Sequence, residues 1–410
     1  MTEQALERGA TRVRGFDDAE MDFQLIRQMG VACYGGSAIG ECLALAREIA
    51  DGHPASWVEH FEAAARRWET DAQARAARGH RVSAHGQYLV ASNNYRAAEY
   101  YSGVEEASHA RCGQRSRECF LAAMHLSDGH FETVELPWEG GVLPAYYARA
   151  AGAGDAPGKT LMIISGYDGT LEETWLAYGL PALQRGYNLM LFAGPGQADS
   201  MRFNPGQAFI PEFERIGALA VAHVLDRPQT DPRRLALMGI SFGGYFATRI
   251  AAHEPRVRAL IANSPIVDLH AYMTSFVGFD PATLSDADDF GLAELPHIPD
   301  EVMPPQQRRM AGNLIRRLGC TTFREAYVRL RDFRVGDAEL ARIACPVLAL
   351  SGSGEGREVH AQAERFCQGV SGPASAWQFS VEEGADGHCQ SGNLGFSAAV
   401  SMDWLDEAFQ

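Results

Sequence analysis

The residues best suited to chemistry lie at the end of an apolar run, Leu235-Ala236-Leu237-Met238-Gly239-Ile240-Ser241-Phe242-Gly243-Gly244-Tyr245, which contains G-x-S-x-G and leads into a helix-compatible segment. Ser241 is the candidate nucleophile. A serine presented at a strained strand-to-helix turn needs small neighbours, and Gly239 and Gly243 supply them where a side chain would clash. The turn lifts the hydroxyl clear of the backbone. It also aims the next amide, that of Phe242, at the point where a negative oxygen would form, with the helix N-terminus adding positive potential.

A serine hydroxyl is a poor nucleophile until a base takes its proton, and that base needs a partner to hold its tautomer. His388, in Glu383-Gly384-Ala385-Asp386-Gly387-His388-Cys389-Gln390, is the candidate base. It alone of thirteen histidines falls between the last expected strand and the last helix. The acid should follow the strand at 347–350, where Ser351-Gly352-Ser353-Gly354-Glu355 makes Glu355 the candidate, with Asp268 and Glu358 as rivals. Protonation of such a histidine would set an acid limb at about pH 6 to 7.

A second oxyanion donor is expected from the loop Ser165-Gly166-Tyr167-Asp168-Gly169-Thr170, as the amide of Tyr167. Asp168 either contacts substrate or caps the helix that begins near Leu171, and capping is favoured. The turn Ala193-Gly194-Pro195-Gly196-Gln197 lines the same end of the sheet. It lacks the lysine and the Ser/Thr of a phosphate loop. None of these motifs calls for a cofactor or a metal.

The elements that must carry these residues follow from periodicity. Strand-like runs at 131–136 and 142–149 flank the hairpin turn Trp138-Glu139-Gly140-Gly141. Continuous apolar runs follow at 160–164, 188–192, 235–239, 259–262 and 347–350, then a last strand at 377–381 and a closing helix at 398–409. Such runs alternating with helices are what a parallel sheet buried on both faces requires. Residues 1–128 instead read as helical, with helical spacing at 19–29, 39–50, 55–78 and 83–101, the third carrying a stripe of Trp57, Val58, Phe61, Ala65 and Trp68. The tyrosines at 88, 95, 100 and 101 favour helix packing, although tyrosines facing a cleft would suit an aromatic substrate. Between Ile266 and Pro346 a long interval with prolines, Asp286, Asp288 and Asp289, and helical stretches such as 310–318 breaks the rhythm. An insertion there would lie above the strand ends as a lid.

Composition sets the bounds. The chain has 410 residues, 46% hydrophobic, and a formal charge of -16, which argues against nucleic acid and anionic membrane partners. No apolar run spans a membrane, and residues 1–14 are polar and mixed in charge, so a cytoplasmic protein without a secretory signal is expected. Eight cysteines without a C-x-x-C pair read as reduced thiols rather than a disulfide frame or zinc site.

Taken together, a helical N-terminal region, Gly166-Tyr167-Asp168-Gly169-Thr170 with Glu172-Glu173, the Gly-Pro-Gly turn, Gly239-Ile240-Ser241-Phe242-Gly243-Gly244 and Gly387-His388-Cys389-Gln390 resemble a branch of the α/β-hydrolase superfamily. That branch includes the 2,6-dihydroxypseudooxynicotine hydrolase and fungal hydrolases that shorten a naphthopyrone pigment precursor. The resemblance implies an α/β-hydrolase fold, a mostly parallel central sheet flanked by helices. A helical cap would occupy 1–128 and the hydrolase domain 129–410, with a lid insertion at about 267–345. It also implies a triad of Ser241, His388 and the Glu355 position, often used in the family to cleave a carbon-carbon bond next to a ketone. The expected partner is a small molecule, aromatic or polyketide-like, and a homodimer is expected. Two departures stand out: the family usually has aspartate where Glu355 stands, and Ala193 replaces an aspartate common before the Gly-Pro-Gly turn. The same machinery would also serve an esterase or thioesterase, or a cyclase or acyltransferase that excludes water. A binding protein with a relict site is disfavoured, because serine, histidine and oxyanion loop are all intact.

Overall fold

Strands that are apolar at every position need cover on both faces, and the alternation of side chains supplies two separate cores. Met162, Ile164, Leu237 and Ala349 point into one cluster, while Leu161, Ile163, Met238 and Leu350 point into the other. The sheet between them has eight strands: β1 (Phe131–Trp138), β2 (Gly141–Ala148), β3 (Gly158–Ile164), β4 (Asn188–Phe192), β5 (Thr230–Ile240), β6 (Ala259–Asn263), β7 (Val347–Gly352) and β8 (Ala374–Phe379). Their order is β1-β2-β4-β3-β5-β6-β7-β8. The β1–β2 and β2–β4 pairs are antiparallel, and every later pair is parallel. This is the α/β-hydrolase fold, with the helical N-terminal region that the sequence implies.

This computed structural model describes residues 8–152, 154 and 156–410. The first seven residues of the polar N-terminal stretch, and two positions of the loop at 150–158, lie outside the described residues. No described helix is long and apolar enough to cross a membrane.

Most elements fall where periodicity puts them, and the exceptions have physical causes. The last strand sits at Ala374–Phe379 rather than 377–381. It is a sheet edge whose first five residues are exposed, so no buried alternation marks it. The closing helix, Leu394–Ala408, starts earlier than its apolar pattern because the Asn393 side chain accepts from the Phe396 amide and caps it.

The N-terminal region contains α1 (Ala19–Gly30), α2 (Ile39–Ala46), α3 (Pro54–Ala77), α4 (Arg81–Tyr101) and α5 (Ala107–Leu126). It has a core of its own in which Trp57, Phe61 and Ala65 of the expected stripe meet Tyr95 and Tyr101. Trp57 Nε1 donates to the Ala97 carbonyl at 2.9 Å. In the interval between β6 and β7, helices Leu269–Val277, Pro305–Arg317 and Phe323–Leu330 send Tyr272, Leu314, Ile315 and Tyr327 into the same cluster as Phe242 and Phe246.

Charge joins the helical region to the sheet. Arg202, in helix Ala198–Phe203, donates to Glu99 of α4 at 2.9 Å through Nε, and lies 3.1 Å from Glu172 and 3.2 Å from Asp199. All four side chains are at most 5% exposed. Burial opposes the charged form of Glu99, and Arg202 overcomes it to hold the carboxyl below its usual range. Arg202→Met should therefore destabilise the fold by about 3–5 kcal/mol, because it strands buried carboxylates without a cation. Denaturant unfolding of the full chain checks this, and an unchanged midpoint would show that the network contributes nothing net.

Candidate active site

The turn after β5 carries a non-glycine residue at positive φ. Ser241 adopts φ 59° and ψ -126° and serves as N-cap of the helix Phe242–His253. A non-glycine residue in that region is strained and persists only where neighbours hold it. The Ser241 N–H donates to the Asn263 carbonyl at 2.5 Å, and the Gly244 N–H donates to the Ser241 carbonyl at 2.7 Å. A Cβ on Gly239 would lie 1.9 Å from the Gly243 oxygen, so both sequence-predicted glycines are required by space.

His388 and Glu355 stand beside this serine. His388 Nε2 lies 2.8 Å from Ser241 Oγ, and His388 Nδ1 lies 2.6 Å from Glu355 Oε1. Glu355 Oε1 also accepts from the Ser264 hydroxyl at 2.7 Å, and Oε2 accepts from the Gly352 N–H at 2.7 Å. The longer glutamate thus folds back over its own turn. Gly352 permits the approach of the two loops, since a Cβ there would sit 2.0 Å from the Asp386 carbonyl oxygen. The rivals are elsewhere: Asp268 caps the helix Leu269–Val277, and Glu358 accepts from Gln362.

Burial works against a charged His388, but the adjacent Cys389 sulfur, 3.5 Å from Nε2, and then the Glu355 carboxylate outweigh it. They push the ring from 6.5 up to about 10. The acid limb expected near pH 6 to 7 is therefore displaced upward.

Among the described residues, the amides of Tyr167 and Phe242 have no hydrogen-bond acceptor, and both residues border the serine's cavity. The loop carrying Tyr167 is braced from behind. Gln197 Nε2 donates to the carbonyls of Ser165 at 2.7 Å and Gly166 at 2.9 Å, while Arg317 Nη1 donates to those of Tyr167 at 2.9 Å and Gly196 at 2.8 Å. Sequence reading placed the Gly-Pro-Gly turn at this end of the sheet but missed the bracing role of Gln197. A glutamine that satisfies two carbonyls leaves no periodic signal.

Asp168 does not cap the following helix. Thr170 does so, its hydroxyl accepting from the Glu173 N–H, and Asp168 instead pairs with Arg27 of α1 at 3.1 Å. Burial opposes its charge, and Arg27 with Arg8, Arg317 and Arg96 holds the carboxyl below its usual range. Asp168 still borders the cavity.

That cavity measures about 1680 Å³ and has three walls. The strand-end loops contribute Ser241, Tyr167 and His388; the N-terminal region contributes Phe23, Arg27 and Tyr100; the interval between β6 and β7 contributes Tyr272, Phe276 and Met310. Of the four tyrosines noted in α4, Tyr100 and Tyr101 reach the cavity, whereas Tyr95 is used in packing and donates to Glu69 at 2.8 Å. A further feature was not foreseen. Residues 8–11 strap the His388 loop: the His388 N–H donates to the Arg8 carbonyl at 2.7 Å, and the buried Asp386 carboxylate accepts from the Ala10 and Thr11 amides and the Thr11 hydroxyl.

Comparison with known proteins bears on the family and the fold. The model of the Prolyl oligopeptidase family matches residues 210–284, the segment that contains Ser241. The α/β hydrolase xenA of Xenoacremonium sinensis is 30% identical over 366 residues, covering 84% of this chain and 84% of the relative. The α/β hydrolase psoB of Aspergillus fumigatus is 28% identical over 436 residues, covering 98% and 95%. Among solved structures, that of the 2,6-dihydroxy-pseudo-oxynicotine hydrolase matches at a TM-score of 0.71 and 19% identity, over 93% of this chain and 95% of that one. At that identity the likeness is one of fold.

The strap has a measurable consequence. Asp386→Ala removes the acceptor for three donors, which should cost about 1–3 kcal/mol and loosen the His388 loop. The expected result is a lower unfolding midpoint together with slower labelling of Ser241 by a fluorophosphonate. If both measurements match the unaltered chain, the strap does not position the histidine.

Proposed function

The chain belongs to the α/β-hydrolase family, and from that premise we propose that it is a serine-triad hydrolase that cleaves a carbon-carbon bond adjacent to a ketone. The observation that carries this reading is the continuous hydrogen-bonded chain from Ser241 Oγ through His388 to Glu355, facing two unoccupied amides. His388 Nε2 takes the Ser241 proton as Oγ attacks the ketone carbon. The resulting oxyanion is held by the Tyr167 and Phe242 N–H groups. The bond to the neighbouring carbon then breaks, its electron pair leaves as a stabilised carbanion, and the proton on His388 returns to that carbon. Water, deprotonated by the same histidine, releases the acyl group from Ser241. Glu355 holds the imidazole's tautomer and stabilises its charged form.

The resemblance noted above supports a ketone rather than an ester as substrate. The cavity has room for an aromatic or polyketide-like molecule. Asp168, on its wall, contacts that substrate. In this reading the region 1–128 is a cap and the interval at 267–345 is a lid, which together exclude bulk water while the carbanion forms. Incubation with a β-diketone and with an ester of matched acyl group separates the readings. Cleavage of the diketone to acid and ketone supports carbon-carbon hydrolysis, and turnover of the ester alone replaces it with an esterase.

Ser241→Ala should lower kcat by on the order of 10⁶ with the fold intact, by analogy with a dissected serine protease. Glu355→Gln should lose about 10⁴, and Asp268→Asn should change kcat only modestly. Steady-state kinetics with circular dichroism as the fold control checks all three, and the reverse ranking of the two acids would remove Glu355 from the triad.

The pH profile follows from His388. The base must be neutral, and its folded pKa lies above 6.5, so kcat/KM should keep rising as pH increases through the range between 6.5 and about 10. An acid limb with an apparent pKa at or below 6.5 would show that Cys389 and Glu355 do not raise the histidine.

A further inference from the structure

Helix Pro305–Arg317 turns one stripe into the cavity: Gln306, Met310, Asn313 and Arg317, spaced to share a face. Gln306 Oε1, Asn313 Oδ1 and Arg317 Nε are buried there without a hydrogen-bond partner among the described residues. The Tyr167 hydroxyl is in the same condition, and the Arg317 guanidinium lies 4.9 Å from the centroid of the Tyr167 ring. Buried donors and acceptors left in this state are costly, and a ligand that completes them recovers the cost.

Arg317 differs from the other cavity arginines in its charge balance. Arg8 pairs with Glu20, and Arg27 pairs with Glu173 and Asp168. Arg96 lies 3.7 Å from Glu173. Arg317 is 4% exposed and, among the described residues, makes no ion pair; its Nη1 is used on two carbonyls. Glu99 and Asp168 feel its field, but they are engaged by Arg202 and Arg27. A buried guanidinium with no counter-charge calls for an anion. The walls beside it, Phe276, Phe323 and Tyr327, suit a flat ring.

We infer that Arg317, the Tyr167 hydroxyl and Asn313 form a subsite for an anionic oxygen on the substrate, carried as a carboxylate or as the enolate or phenolate of an acidic ring. Arg317 and Tyr167 donate to that oxygen, and Asn313 Oδ1 accepts from a neighbouring hydroxyl. The inference rests on the hydrolase reading above and narrows its substrate class to acidic aromatic or 1,3-dicarbonyl compounds. It also puts the anion on the same residue whose amide holds the oxyanion in the proposed mechanism, so binding there would set the position of the ketone.

Calorimetric titration of the full chain with two matched pairs tests this near neutral pH. One pair is 2,4-dihydroxybenzoate and its neutral amide. The other is a cyclic 1,3-diketone, present as its enolate, and its enol methyl ether. The unaltered chain should prefer the anion of at least one pair by on the order of tenfold to a hundredfold, and the pair that discriminates identifies the source of the oxygen. Arg317→Met should collapse that ratio toward one, while Arg317→Lys, which keeps the charge without the fork, should restore part of it. Equal affinity within both pairs would overturn the inference. So would a loss in Arg317→Met that weakens anion and neutral partner alike, since Arg317 would then only brace the Tyr167 loop. Ser241→Ala should bind with the same discrimination. Discrimination by a chain that turns over neither ketone nor ester would defeat the hydrolase reading and leave the subsite standing.

Discussion

A serine held at φ 59° is the constraint around which the rest is arranged. Such backbone lasts only where the surroundings over-determine it. Here β5 sits between β3 and β6, with Gly239 opposite both Ile164 and Ala262, so the strand beneath the turn has no freedom to relax. The parallel strands β3, β5, β7 and β8 end at the same edge of the sheet, and the loops that leave them carry Tyr167, Ser241, Glu355 and His388. Ligands of open α/β sheets bind outside those carboxyl ends for this reason. The arrangement is a product of the sheet and not of the loops alone.

Much of this was legible in the sequence because the relevant signals are local. Continuous apolar strands announce a sheet buried on both faces, and G-x-S-x-G announces the turn. His388 was found by its place between the last strand and last helix. Glu355 was found by following β7 to its end, and the structure brings it to His388 while leaving Asp268 and Glu358 apart. What sequence could not supply were relations between distant segments. Asp168 looked like a cap because caps are local, yet its partner Arg27 lies 141 residues away. Edge strand β8 was misplaced because its residues are exposed, and the strap of residues 8–11 has no periodicity at all.

Electrostatics adds a second layer of order. The chain carries a net charge of -16, yet its cavity gathers arginines from both the N-terminal region and the interval between β6 and β7. Those at 8, 27 and 96 are tied to carboxylates, which fixes the helical region against the sheet and leaves little net charge on that side. Arg317, on the helix Pro305–Arg317, makes no ion pair among the described residues. The arginines at 8, 27 and 96 are thus held by carboxylates, whereas Arg317 is held by the carbonyls of Tyr167 and Gly196.

The strap between Ala10, Thr11 and Asp386 joins segments 375 and 376 residues apart. Local helices and hairpins form within microseconds, whereas closing a contact of this span carries the loop-closure entropy of almost the whole chain. During synthesis such a contact also waits, since ribosomes add about 5–20 residues per second. The N-terminal helices would stand complete for on the order of tens of seconds before the His388 loop exists to receive them. The loop of His388 thus gains its strap only once nearly the whole chain has been made.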